Sequence, residues 1–262
     1  MDCTKQRITE QIRDMIRAYE KSTVTKWGDP LVGFAGAAKV AKLRGIVSPG
    51  HAQPEQILPG AETVISYFVP FLEETAQTNT AAGLASPQWA QAYEETNVML
   101  ACINEQLICR LKEEGIRGRV PQEAAVFDRE LLRSDWSQRH IAYLAGLGTF
   151  GLNNMLITEK GCCGRISSIV TDLKIAPDVP MTKELCIYKQ AGKCGICADR
   201  CEAGALTRQA YDRKKCYEIC LKNAKVHNHY GSSYTSSDDD SEEIGSEVCG
   251  KCIAGMPCAF KK

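Results

Sequence analysis

The strongest chemical signal in this chain is a set of nine cysteines that follow residue 185, out of fourteen in 262 residues. Their core reads Cys194-Gly-Ile-Cys197-Ala-Asp-Arg-Cys201. Bacterial ferredoxins use a C-x2-C-x2-C-x3-C run, usually followed by proline, to hold iron–sulfur clusters. The last three cysteines of that run match, and Glu202 stands in place of the proline. The spacing predicts iron–sulfur clusters and hence the transfer of single electrons.

The number of cysteines predicts two 4Fe-4S clusters. In two-cluster ferredoxins the last cysteine of the run ligates the other cluster, so we expect Cys201 to begin a helix and to point away from its neighbours. The predicted ligands of cluster one are Cys186, Cys194, Cys197 and Cys258, and those of cluster two are Cys201, Cys216, Cys249 and Cys252. Cys220 is a spare thiol or an alternative to Cys216.

Two other uses of these cysteines are weaker. A single four-cysteine zinc site would leave five of the nine unexplained. Disulfides need an oxidising compartment, and the sequence shows no secretory signal and no apolar run of membrane length. We therefore expect a cytoplasmic protein without a membrane contact. Lys and Arg together number 32, as do Asp and Glu, which argues against nucleic-acid binding by bulk positive charge.

The elements that must position this chemistry form two parts. Apolar periodicity and capping residues predict helices over residues 5–20, 87–115 and 134–146, the last capped by Ser134, and strands over 31–37, 63–71, 154–158 and 165–173. This order predicts an α+β domain over residues 1–182. A cysteine-rich module follows over 183–262, and its acidic, serine-rich segment 228–247 is predicted to be a solvated insert.

A glycine-rich segment in the front part carries a family resemblance. The run Ala145-Gly-Leu-Gly-Thr-Phe-Gly-Leu-Asn-Asn-Met-Leu-Ile-Thr158, then Ile169-Val-Thr-Asp-Leu173 and the cysteine order, resembles the corrinoid-dependent epoxyqueuosine reductases. Reductive dehalogenases are more distant relatives. The resemblance implies a nitroreductase-like front domain and a dicluster ferredoxin-like module. It also implies a cobalamin, which we expect to be base-off, that takes electrons from the clusters and reduces a substrate.

The same resemblance implies partners and site residues. The expected partners are a low-potential electron donor such as ferredoxin or flavodoxin and a small-molecule or modified-nucleoside substrate, with tRNA as a further candidate. The candidate cofactor-binding residues are Gly146, Gly148, Thr149, Phe150, Gly151, Asn153 and Asn154. Glycines let a backbone approach a flat ligand, and asparagines bond amide groups. The run follows a predicted helix and precedes a strand, the reverse of the dinucleotide fingerprint, so NAD is not expected.

Asp135 and His140 are the candidate proton donors of this reductase. Cys162 and Cys163, next to the expected pocket, are either a redox-active pair or two small residues in a turn. Arg139 is taken as a surface residue, the alternative being a contact to a corrinoid tail. Two other functions remain open from the residues: an electron-transfer protein without chemistry of its own, and a flavin-dependent reductase of the nitroreductase type.

Overall fold

The structure is a computed structural model that describes residues 3–121, 127–232 and 245–260. Its centre is an antiparallel sheet with the order β1-β2-β8-β3. The strands are β1 (Leu31–Gly36), β2 (Thr63–Pro70), β8 (Gly164–Thr171) and the short β3 (Gly118–Arg119). The predicted strands 31–37, 63–71 and 165–173 are thus confirmed to within two residues at each end.

The central strand β2 is buried along its whole length because helices cover both faces of the sheet. Side chains alternate between the faces of a strand. Ile65, Tyr67 and Val69 therefore point to one core cluster, and Val64 and Phe68 to another. The result is a mixed α/β fold with three layers.

The first layer is formed by α1 (Cys3–Tyr19) and α5 (Pro87–Glu113), which pack on each other. In α1 the buried residues are Ile8, Ile12, Met15 and Ile16, at the helical spacing that predicted this helix. In α5 the predicted start is confirmed, since the Ser86 side chain accepts a hydrogen bond from the Trp89 amide at 3.1 Å. None of the described helices has the length and apolar character that a membrane crossing requires.

The opposite face of the sheet carries α6 (Gln138–Leu144) with the short helices α2 (Ala37–Ala41) and α3 (Pro54–Ile57). The predicted helix 134–146 was wrong at its start: Ser134 lies in β5 (Arg133–Ser134), which pairs with β4 (Phe127–Asp128). The Ser134 hydroxyl accepts from the Trp136 amide instead of capping a helix. The short helix α4 (Glu73–Gln77) precedes α5.

A hairpin follows α6 where the sequence predicted a loop and one strand. Its strands are β6 (Gly148–Phe150) and β7 (Leu156–Thr158), paired antiparallel. The predicted strand 154–158 is therefore two residues too long. Strand β6 was not predicted because its segment is rich in glycine, which is depleted in strands.

The cysteine-rich part contains α7 (Ile187–Ala191), α8 (Ile196–Asp199) and α9 (Arg213–Val226). Cys201 follows α8 and begins no helix, so that expectation was wrong. Residues on both sides of the predicted boundary at 182/183 share one apolar core, to which Ile157, Leu206 and Met256 belong. Residues 233–244 of the predicted insert 228–247 lie outside the described residues.

Candidate functional site

Four cysteines, named here the first thiol group, surround one cavity. The cavity is lined by Cys186, Cys194, Cys197 and Cys258, and its other walls are largely apolar, including Leu152, Ile157 and Met256. Burial, together with the three neighbouring thiols, raises the pKa of Cys197 to about 11. These four are the residues predicted to ligate cluster one.

Local structure places each of these thiols. The Glu184 carboxylate accepts from the Cys186 amide at 2.8 Å and from the Thr149 hydroxyl at 2.9 Å, which ties the segment before α7 to β6. Thr149 in turn accepts from the Leu185 amide at 2.9 Å. Helix α7 ends at Gly192, whose left-handed φ of 67° turns the chain back toward Cys194.

Five further cysteines form the second thiol group: Cys201, Cys216, Cys220, Cys249 and Cys252. Burial is the main cause that raises the pKa of Cys252, and the thiols of Cys249, Cys216 and Cys201 contribute. Cys216 and Cys220 lie one turn apart on α9. The interaction of the two thiols is the main cause that lowers the pKa of Cys216 and raises that of Cys220. The choice of Cys216 over Cys220 as a ligand stays a prediction.

Side chains of the front part hold the loop that carries Cys249 and Cys252. Asn79 donates to the Cys249 carbonyl at 2.8 Å, and Asn153 donates to the Cys252 carbonyl at 2.9 Å. Between the two cysteines, Gly250 has a φ of +74°, and a Cβ there would lie 2.4 Å from the Trp89 ring. Only glycine fits this approach, so the loop is seated directly on α5.

The two thiol groups fit iron–sulfur clusters by their donor chemistry. Both consist of thiols alone, the donors that Fe–S clusters and zinc select. Burying several thiolates together without a cation is costly, and a cluster supplies the opposing charge. Within the described residues, no group of three or more His, Cys, Asp or Glu side chains is arranged to hold a single metal ion. The first thiol group instead lines a cavity.

The predicted cofactor-binding glycines lie against the chain's own backbone. A Cβ on Gly146 would lie 2.6 Å from the Val179 carbonyl, and one on Gly148 would lie 2.1 Å from the Ile157 carbonyl. A Cβ on Gly151 would meet the Asn153 side chain at 2.6 Å. The need for glycine at these positions is therefore already explained by packing.

The polar residues of the same stretch are partly engaged as well. Thr149 bonds Glu184 and Leu185, and the Asn153 oxygen accepts from the Met155 amide at 3.1 Å. Asn154 is exposed at a φ of +58°, and Phe150 is half-buried. A role of these residues toward a cofactor stays a prediction.

The predicted proton donors, Asp135 and His140, lie on either side of the start of α6. The His140 ring is 4.7 Å from the Phe150 ring, and its Nδ1 is 2.7 Å from the Ser137 hydroxyl. Burial is the main cause that lowers the pKa of His140, and the Arg139 guanidinium contributes. The Asp135 carbonyl accepts from the Ala52 amide at 2.7 Å. His140 therefore lies next to Phe150, whereas the Asp135 backbone lies next to Ala52.

A buried histidine that the sequence did not single out lies near these two residues and acts on the pKa of His140. His51 is fully buried and lies 5.6 Å from the Trp136 ring. Its Nδ1 lies 2.9 Å from the Ala52 carbonyl and its Nε2 accepts from the Ser137 amide at 3.2 Å. Because a carbonyl only accepts, Nδ1 carries the proton and the ring is neutral. Burial lowers its pKa accordingly, although Asp135 opposes this.

One half-buried cation and one buried cation were also missed. Arg139, taken as a surface residue, is turned inward: it donates to the Asn154 carbonyl and lowers the pKa of Cys216. Lys251 is 2% exposed and donates to the Asn79 side chain at 3.0 Å and the Ala81 carbonyl at 2.8 Å. Both flank the second thiol group. Lys251 sits inside the C-x2-C pair, a position from which sequence alone could have suggested it.

Comparisons with known proteins point to one set of enzymes. No family model matches the chain. A tetrachloroethene reductive dehalogenase of Desulfitobacterium hafniense is 33% identical over 122 residues, which cover 45% of this chain and 20% of the dehalogenase. An epoxyqueuosine reductase of Vibrio cholerae is 26% identical over 173 residues, which cover 63% of this chain and 43% of that protein.

A solved epoxyqueuosine reductase, bound to a modified tRNA-Tyr stem loop, has a similar fold. Its TM-score is 0.52 at 19% identity, and the match covers 95% of this chain and 66% of that one. The chain is a distant relative of the epoxyqueuosine reductases and the reductive dehalogenases. It spans a fifth of the dehalogenase and less than half of the Vibrio cholerae reductase.

Proposed function

We propose that the chain is an iron–sulfur oxidoreductase that resembles epoxyqueuosine reductase and carries two 4Fe-4S clusters. The first thiol group would hold cluster one, and Cys201, Cys216, Cys249 and Cys252 of the second would hold cluster two. The observation that supports this most is that the thiols lie in two separate groups. Residues up to 72 positions apart, such as Cys186 and Cys258, line one cavity as the sequence predicted.

The proposed fold assignment follows from the same grouping. We assign residues 1–182 to a nitroreductase-like domain and 183–262 to a dicluster ferredoxin-like module. The antiparallel sheet with helices on both faces supports the first assignment. Two features support the second assignment: the C-x2-C loops, and the place of Cys201 in the second thiol group and not with its sequence neighbours Cys194 and Cys197.

A base-off cobalamin bound to the front domain completes the proposal, and the relatives are its support. The predicted cofactor-binding residues do not by themselves form a cradle for a corrin ring in the described residues, because Gly146, Gly148 and Thr149 are engaged by the chain. A bound corrinoid would supply the reducing chemistry. His140, whose ring lies 4.7 Å from that of Phe150, or Asp135, which precedes the same helix, would then supply the proton.

The proposed setting is cytoplasmic. An external low-potential donor, ferredoxin or flavodoxin, would reduce the clusters. A modified nucleoside is the proposed substrate class, with tRNA as its carrier, because one relative has been solved with an epoxyqueuosine-modified tRNA stem loop.

The test of the cobalamin is anaerobic. The reconstituted protein is mixed with cobalamin, passed through gel filtration, and the spectrum of the protein peak is recorded. The proposal expects cobalamin to co-elute with a spectrum shifted to the base-off form. A protein peak that shows iron–sulfur absorbance without corrin absorbance would contradict the proposed binding of cobalamin. With cobalamin bound, Asp135→Asn and His140→Gln are expected to slow turnover and leave the iron content unchanged.

A second function has one specific observation in its favour. The chain's own atoms already occupy the contacts of three predicted cofactor-binding residues, Gly148, Thr149 and Asn153. This is expected of an electron-transfer protein that binds no further cofactor in its front part. Such a protein would deliver electrons from its clusters to a corrinoid protein or another partner. Gel filtration without corrin, combined with rapid reduction of an added corrinoid protein, would favour this function.

A further inference from the structure

A fifth thiol adjoins the first thiol group. The sulfur of Cys162 lies 3.9 Å from the sulfur of Cys258. Cys162 is 1% exposed and belongs to neither set of predicted ligands. Its neighbour Cys163 is directed elsewhere and donates to the Ile253 carbonyl at 3.3 Å. Cys162 is thus the member of the vicinal pair that faces the cavity cysteines.

Backbone hydrogen bonds hold the two sulfurs side by side. The Cys162 amide donates to the Cys258 carbonyl at 3.0 Å and to the Ala259 carbonyl at 3.1 Å. Gly161, with a φ of +91°, lets residue 259 approach so closely that a Cβ would lie 2.0 Å from its carbonyl. The pairing of these segments, and not a chance side-chain orientation, determines which thiol meets Cys258.

The distance lets one thiol replace the other. A change of χ1 between staggered wells moves a cysteine sulfur by about 3 Å, a displacement comparable with the 3.9 Å that separates the two sulfurs. Each iron of a 4Fe-4S cluster takes a single protein thiolate in a four-cysteine set. Only one of the two cysteines can therefore bind that iron at a time.

We infer that Cys162 is a reserve ligand of cluster one, which binds the iron of Cys258 when that cysteine is unavailable. This inference rests on the proposed function, because it needs a cluster at the first thiol group. In the exchange the Cys162 thiol loses its proton as its sulfur bonds iron, and an intact Cys258 thiolate gains that proton as it leaves, so no electron is transferred. If a peroxide has oxidised Cys258 to the sulfinate, a poor ligand, the sulfinate leaves and the Cys162 proton goes to solvent. The reserve thus keeps the cluster bound after damage to Cys258.

The experiment compares alanine variants after anaerobic reconstitution. Iron and sulfide per chain are measured, with EPR spectra of the oxidised and reduced protein and far-UV circular dichroism as the check of folding. Alanine leaves no donor at position 258, so a four-iron cluster retained in Cys258→Ala needs another ligand. The inference expects Cys258→Ala to keep nearly all of its iron with a changed EPR spectrum. Adding Cys162→Ala is expected to lower the iron to about half or to leave a three-iron cluster.

The matched control is the double variant Cys163→Ala with Cys258→Ala, which should keep its iron because Cys163 faces Ile253. The inference is overturned if Cys258→Ala loses as much iron as the Cys162 double variant, or if the Cys163 control loses as much. Should Cys258→Ala fail to fold, Cys258→Val, which also carries no donor atom at this position, with and without Cys162→Ala gives the same comparison. A wild-type chain that binds fewer than two clusters would instead refute the proposed function, so the two failures are distinguishable.

Discussion

Gly161→Ala is expected to detach the C-terminal segment from the turn after β7. The substitution places an alanine in left-handed backbone, which costs about 1–2 kcal/mol. Its Cβ would also lie 2.0 Å from the Ala259 carbonyl, so that carbonyl must move. The movement breaks the hydrogen bonds from Cys162 and Cys163 to the carbonyls of Cys258 and Ala259, at 3.0 to 3.2 Å.

The magnitude follows from these contacts. Three hydrogen bonds at about 1 kcal/mol each, added to the backbone strain, give a loss of about 4–5 kcal/mol in the free energy of unfolding. The matched control is Gly115→Ala, where φ is +78° and nothing lies within 4 Å of the added Cβ. It should lose only the backbone strain, about 1–2 kcal/mol.

Thermal unfolding at one heating rate measures the difference. At about 2–4 °C per kcal/mol for a chain of this size, the midpoint of Gly161→Ala should fall about 6–12 °C further than that of Gly115→Ala. Iron bound at cluster one should fall as well, because Cys258 loses its position, whereas the control keeps its iron. Equal midpoints for the two variants would refute the packing argument for residue 259.

Three further changes test other parts of the structure. Thr149→Val removes the bonds that tie β6 to the segment before Cys186, so unfolding should be easier by about 1–3 kcal/mol and the iron of cluster one should bind more weakly in a chelator competition. Burial tends to raise the pKa of Asp172, but the hydrogen bonds from Arg117 lower it overall. The stability from this pair is therefore present above the unfolded carboxyl pKa of about 4 and is lost as the pH falls below it. Arg117→Ala should make the melting temperature depend less on pH between about pH 5 and 3. A melting temperature that falls with pH as steeply as in the wild type would contradict this. His140→Gln should leave the iron content and the melting temperature near wild type. Because the pKa of His140 is lowered from its ordinary value, the variant should lose a pH dependence of any reductase activity below about pH 6.5, which a pH–rate profile would show.

The elements with strong periodicity were predictable from the sequence. Helices α1 and α5 and strands β1, β2 and β8 bury regular apolar positions, so their patterns indicate both type and approximate bounds. Strand β6 was not predictable, because Gly148 is present for its approach to the Ile157 carbonyl and not for any strand preference. The start of α6 was missed because Trp136 is held outside the helix by its bond to Ser168 at 3.0 Å, a contact made across the fold.

The candidate site likewise has features that local sequence predicts and features that depend on tertiary packing. The spacing of Cys194, Cys197 and Cys201 predicts iron–sulfur chemistry. The four cysteines predicted to share cluster one do line one cavity, and their role as ligands stays a prediction. The place of Cys162 was not predictable, because it depends on the docking of residues 258–260, nearly a hundred positions later. The inward turn of Arg139 likewise depends on tertiary packing, since the helical pattern alone indicates a surface residue.

The central claim is that two separate clusters occupy the two thiol groups. The most direct measurement is iron and acid-labile sulfide per chain in anaerobically reconstituted protein, for the wild type and for Cys186→Ala, with EPR of the reduced samples. The account predicts about eight irons per wild-type chain and about four in the variant, with the variant's remaining signal that of a single isolated cluster. One zinc per chain, or an iron content that Cys186→Ala leaves unchanged, would contradict the account.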